Sequence, residues 1–134
     1  MAQIRTLLSV HMENRPGALA ELTQALHDAG VNILAIAVPD TGEFGTVRIL
    51  PDDVDEGRAA LQDGGFPHAA VDVLAVELPH EPGSLARVAK LLADESVVVR
   101  YAYATIPNGT DNALCILRVD DIHKAQKVLQ KKMT

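Results

Sequence analysis

Asn14-Arg15-Pro16-Gly17-Ala18-Leu19 puts the end of an apolar strand, a turn and the first turn of a helix within six residues. The pattern returns as His80-Glu81-Pro82-Gly83-Ser84-Leu85, which keeps the Pro-Gly-x-Leu core between an apolar run and a helix with leucine spacing. A helix start leaves backbone N–H groups without internal partners, and Ser, Thr, Asp or Asn normally caps them. Proline favours the first helical position, which makes Arg15 and Glu81 the expected cap residues, and neither caps well. The amides of Gly17, Ala18 and Leu19 are then expected to point outward at the positive end of the helix dipole, a site for a carboxylate or phosphate. A plain turn with water on its amides accounts for one such copy; two copies at matching positions favour a ligand.

Outward from this stretch, residues 4–12 alternate loosely and have strand length, while Leu19, Leu22, Leu26 and Ala29 recur at helical steps with Gly30 just past the end. Residues 31–38 read as a strand apolar on both faces apart from Asn32, and Pro39-Asp40-Thr41-Gly42 supplies turn chemistry. In residues 45–50 Val47 and Ile49 face one way and Thr46 and Arg48 the other. Asp52 and Asp53 can cap a second helix that carries Val54 and Leu61 and stops at Gly64-Gly65. Residues 69–78 form one extended stretch, read as the last strand of one unit continuing into the first strand of the next.

The second pass has the same order: helix 83–95 with Leu85, Val88 and Leu92, strand 97–106, a turn at Asn108-Gly109, strand 113–119 and helix 121–131. Pro16 and Pro82 lie 66 positions apart, as do Leu26 and Leu92, and Asp52 and Asp120 lie 68 apart. The expected fold is therefore α+β, two tandem ferredoxin-like βαββαβ units over 1–71 and 72–134, the second without its own C-terminal strand. In the usual 4-1-3-2 sheet order residues 72–78 are then left at an edge made apolar by Val73, Ala75, Val76 and Leu78. A bare apolar edge attracts a strand, so a segment from the first unit or from a second chain is expected to cover it.

The formal charge of -6, with 18 acids against 12 bases, argues against a nucleic-acid partner, as do two tyrosines, two phenylalanines and no tryptophan. No apolar run approaches the roughly 20 residues that cross a bilayer, so no membrane association is expected. A single cysteine excludes an intramolecular disulfide and makes the cytoplasm the expected setting. Cys115 shares a strand face with Ala113, Leu117 and Val119 and reads as core; Tyr101 and Tyr103 likewise read as packing. His11, His27, His68, His80 and His123 lack metal-ligand spacing, and no carboxylate pair forms an acid/base constellation, so neither catalytic residues nor a metal or other cofactor is expected. Lys124, Lys127, Lys131 and Lys132 are read as complementing a helix dipole and facing water.

Val10 to Leu19, continued by Gly30-Val31-Asn32-Ile33, resembles the ACT domain, most closely the serine-sensing regulatory domain of phosphoglycerate dehydrogenase, and the whole chain resembles a stand-alone tandem ACT protein. Regulatory domains of that family bind amino acids between two domains, through the loop before the first helix and the start of the second strand. The resemblance implies Asn14 and Asn32 as ligand-binding asparagines, with Met12 where the dehydrogenase domain has a histidine. In the second unit His80 and Val98 stand at the positions of Asn14 and Asn32, beside Gly83 and Ser84. A helix of about 14 residues between Asn14 and Asn32 separates them by about 20 Å, so one ligand needs each from a different unit or chain. The function expected is a non-catalytic module that binds a free amino acid and signals to a metabolic enzyme, as a homodimer. An ACT-like assembly module without ligand, and a small enzyme on the same scaffold, are the alternatives.

Overall fold

A computed structural model of the chain describes residues 2–39, 44–106 and 111–133. Asp40 to Gly42 and Asn108-Gly109, where the hairpin turns are expected, lie outside them. The elements run β1 (Ala2–Glu13), α1 (Ala18–Asp28), β2 (Ile33–Ala37), β3 (Phe44–Pro51), α2 (Val54–Asp63), β4 (His68–Pro79), α3 (Ser84–Asp94), β5 (Val99–Thr105), β6 (Asn112–Val119) and α4 (Ile122–Lys132). They form two compact units, Thr6–Val71 and Asp72–Thr134 together with Met1–Arg5.

The first unit orders its strands β2-β3-β1-β4, the second β5-β6-β4-β1, and both are the 4-1-3-2 arrangement of a βαββαβ unit. β1 runs antiparallel to β3 with Val10 opposite Val47, and β4 antiparallel to β6 with Val76 opposite Cys115. Both long strands are divided between the units. β4 gives its start to the first unit, where the His11 amide donates to the Pro67 carbonyl at 3.0 Å, and its remainder to the second. The beginning of β1 belongs to the second unit and stands where the sequence leaves it without a fourth strand. There Gln126 and Gln130 donate to the Ala2 carbonyl at 3.3 and 3.1 Å, and Ala2 packs with Leu74 and Val76. The apolar edge expected on β4 is thus covered by a segment of the same chain, two residues earlier than the strand start read from the sequence.

Each unit buries one core between its helices and one sheet face. In the first, Leu8, Val10, Val47 and Ile49 meet Leu22, Leu26 and Leu61. In the second, Leu74, Val76, Cys115 and Leu117 meet Val88, Leu92, Ala125 and Leu129. Each fully buried leucine contributes about 1.5–3 kcal/mol of apolar transfer, which explains why the helix stripes recur so strictly. Leu7 and Leu50 of the first unit, and Val73, Ala75 and Ile116 of the second, alternate with these residues and are buried too. The central strands therefore read as nearly continuous apolar runs rather than alternating ones.

Helix ends repeat as faithfully. After α1 the Gly30 amide donates to the His27 carbonyl and Val31 to Leu26; after α3 Ser96 donates to Ala93 and Val97 to Leu92. Both are Schellman closures, in which the residue after the cap is left-handed. Gly30 has φ 74° and Ser96 φ 59°, so the second unit places a serine where the first uses glycine.

Candidate functional site

The helix starts differ from the expected geometry in one respect. Helical conformation begins at Ala18 and Ser84, and the cap residues are Gly17 (φ 86°) and Gly83 (φ 92°), not Arg15 and Glu81. Pro16 and Pro82 lie in the preceding turn, directly before those caps. A Cβ at either glycine would meet nothing within 4 Å, so glycine is set by backbone angle and not by crowding. The loops match bond for bond. Arg15 donates to the Glu13 carbonyl (3.0 Å), Ala18 to Arg15 (3.2 Å) and Glu21 to Gly17 (2.9 Å). In the second unit Glu81 donates to Pro79 (2.9 Å), Ser84 to Glu81 (3.4 Å) and Arg87 to Gly83 (2.9 Å).

The Ala18 amide is consequently engaged within the turn, and the unsatisfied positive end of α1 falls on Leu19 and Ala20. No side chain caps either helix. At α3 the Ser84 hydroxyl is also engaged, donating to the Pro79 carbonyl at 2.7 Å, so it braces the loop from within. Side chains of Asn14, Leu19, His80 and Pro82 are exposed and that of Ser84 is half-buried, and Leu19 and Leu85 present 42 % and 52 % of their surface.

Asn32 and Val98 lie at the far ends of α1 and α3. Both are exposed, and both are anchored through the backbone: Asp52 N–H donates to the Asn32 carbonyl at 2.9 Å, and Asp120 N–H to the Val98 carbonyl at 3.0 Å. The Asp52 carboxylate also accepts from the Asn32 amide at 3.0 Å, so Asp53 alone caps α2, receiving the Glu56 amide. With α1 of 11 residues, about 16 Å of helix separates the Asn14 loop from Asn32. Within the first unit the two asparagines therefore do not meet.

Met12 and Ala18 do come together, in an open cleft of about 350 Å³ between the start of α1 and the end of α2. Its other walls are His11, Glu13, Arg15, Glu21 and the Gly64–Pro67 loop. That loop was legible only as a helix stop; its Gly65, left-handed at φ 74°, turns the chain back over the cleft. Arg15 spans the opening and pairs with Glu21 at 2.7 Å, with Glu13 at 4.0 Å. The hydrogen bond from Arg15, and then its charge, hold the Glu21 carboxyl below the usual carboxylate range. The arginine at the cleft is therefore already shared with an acid. At the same place in the second unit is a smaller cleft, about 180 Å³, lined by Val76, Arg87, Leu129 and Gln130 among others.

Cys115 is buried, and burial pushes its thiol upward, away from thiolate character. Among the described residues no three His, Cys, Asp or Glu side chains approach as metal ligands would, and no helix is long and apolar enough to cross a membrane.

Residues 3–134 match the family of ACT domain pairs. The chain belongs to this family. Among solved structures, this ACT pair is similar to protein BT0572 from Bacteroides thetaiotaomicron, at 31 % identity and TM-score 0.91, over 98 % of this chain and 90 % of that one. It is similar at fold level to the regulatory subunit of aspartate kinase from Thermus thermophilus (14 % identity, TM-score 0.65, 99 % and 97 % covered). Aspartokinase III of E. coli, solved with lysine and aspartate, aligns at 20 % identity and TM-score 0.59 over 97 % of this chain and 31 % of that enzyme. Curated protein sequences yielded no match.

Proposed function

We propose that this ACT pair is a non-catalytic regulatory module that binds a free amino acid and passes the signal to a metabolic enzyme, acting in the cytoplasm as a homodimer. The observation that carries the reading is the repeated, uncapped helix start: two loops with the same bonds and the same left-handed glycine, each leaving backbone donors at a positive dipole end. The ligand carboxylate sits on the free amides of Leu19 and Ala20, just past Gly17 and Ala18, and Asn14 supplies a polar contact from the loop. Asn32 comes from another copy of the same fold, since α1 holds it away from its own Asn14. Met12 offers a thioether where the serine-sensing domain of phosphoglycerate dehydrogenase has an imidazole, which favours a ligand less polar than serine.

His80, Gly83, Ser84 and Val98 form the corresponding half-sites of the second unit, with Val98 unable to replace the hydrogen bonds of Asn32. An assembly module without ligand is the second reading, favoured by the exposed Leu19 and Leu85 at those helix starts and by the exposed Val98 past the end of α3. Thermal shift against the twenty amino acids separates them. One amino acid at about 100 times its Kd adds close to 3 kcal/mol of stability, whereas the assembly module responds to none. With the ligand in hand, Asn14→Ala and Asn32→Ala locate the site. If each abolishes all binding, the first units of two chains share it; if each removes only one of two binding events, the second unit's half-sites take part.

A further inference from the structure

Helices α2 and α4 occupy the same place in their units, and their exposed stripes carry opposite charge. On α2 the positions Glu56, Ala59 and Asp63 fall at three- and four-residue steps on one exposed face. Adding 68 to each gives Lys124, Lys127 and Lys131 on α4, also exposed. Among the described residues none of these five charged side chains takes part in an ion pair; the pairs found lie elsewhere, as in Arg15–Glu21 and Arg100–Asp120. Dipole complementation accounts for Lys131 in the last turn of α4, but Lys124 stands in the first turn, where a cation is disfavoured.

From this complementarity we infer an interface between copies of this chain, in which the acidic stripe of α2 on one copy meets the basic stripe of α4 on the next. Antiparallel helices bring Glu56 to Lys131 and Asp63 to Lys124, since both pairs of like charges are spaced by the same seven residues, about 10.5 Å. Ala59, at the centre of the acidic stripe, leaves room for the alkyl stem of Lys127 to lie along it. Two unlike patches of one chain meet, and the contact is distinct from the ligand half-sites.

The interface is tested by sedimentation velocity on three proteins. Wild type is expected to show a weight-average mass that falls as salt rises from about 20 mM to about 1 M, as exposed charge pairs are screened. Lys124→Glu/Lys127→Glu/Lys131→Glu and, separately, Glu56→Lys/Asp63→Lys each remove that salt-sensitive fraction, with circular dichroism confirming that both remain folded. Mixed in equal amounts, the two variants recover it, because the acidic α4 of one now fits the basic α2 of the other. Both variants keep a net negative formal charge, so recovery is not explained by attraction of whole molecules. A wild-type mass independent of salt, variants that associate as wild type does, or a mixture no larger than its components overturns the inference.

Discussion

The starts of α1 and α3 share one backbone and reverse its charges. Arg15 and Glu21 of the first unit correspond to Glu81 and Arg87 of the second, 66 positions on, yet only the first pair closes, at 2.7 Å. Arg87 turns instead to the C-terminal end of α4, donating to the Lys132 carbonyl at 3.1 Å. Backbone geometry at these loops follows from glycine angles and turn bonds alone, while side-chain chemistry is free to vary over it. A duplicated scaffold can therefore carry different side chains on matching backbone, as Asn32 against Val98 also shows.

The strongest way to break the equivalence is through the cores. Leu26 and Leu92 are buried to 1 % and 0 % exposure, and each also accepts the amide that closes its helix, from Val31 and Val97. Truncating either to alanine should cost about 2–5 kcal/mol in urea unfolding, and by similar amounts. One loss below about 1 kcal/mol would show that the two cores are not packed alike.

Glycine and serine at the helix ends sharpen the comparison at smaller scale. Ser96 holds φ 59° where Gly30 holds 74°, in closures that share the same two bonds after the cap. A left-handed L-residue costs on the order of 1 kcal/mol, partly offset by the extra freedom of glycine in the unfolded chain. Ser96→Gly should thus stabilise by about 0.5–1 kcal/mol and Gly30→Ser destabilise by a similar amount, as read from thermal midpoints. Equal and unchanged midpoints would mean that the serine side chain compensates its own strain.

Much of this architecture is readable from residue order, because it depends on spacing. Leu22, Leu26, Val88 and Leu92 recur at helical steps, the 66-residue offset aligns the units, and the Pro-Gly pairs mark both helix starts. What spacing does not carry is partner choice. Proline's preference for the first helical position placed the caps at Arg15 and Glu81, and only the left-handed angles of Gly17 and Gly83 move them. Asp52 and Asp53 look alike in sequence; the turn directs one to the Asn32 amide and the other to α2. The Gly64–Pro67 wall of the cleft is distant in sequence from Met12 and Ala18, and its approach depends on where β4 begins beside β1. That β1 starts at Ala2 was hidden for a similar reason: its first residues serve the second unit, so their apolar partners, Leu74 and Leu129, lie far along the chain.

The finest distinction between the two loops is their response to acid. Glu21 is held below the ordinary carboxylate range, first by its hydrogen bond from Arg15 and then by the guanidinium charge. A carboxylate with a lowered folded-state pKa adds stability that is complete above its unfolded value, near 4.3–4.5, and is lost as pH falls through the folded value. Arg87, the residue at the Glu21 position in the second unit, bonds instead to the Lys132 carbonyl. Carbon-detected NMR between about pH 6 and pH 2 should place the Glu21 midpoint below that of free glutamate, and Arg15→Ala should return it to the ordinary range. Because both side chains are largely in water, the accompanying change in stability is small, and amide shifts at Gly17 and Ala18 are the more sensitive record. Those shifts should follow the Glu21 midpoint in the wild type and lose that component in Arg15→Ala; shifts that are the same in both proteins would show that the Arg15–Glu21 pair does not govern the loop.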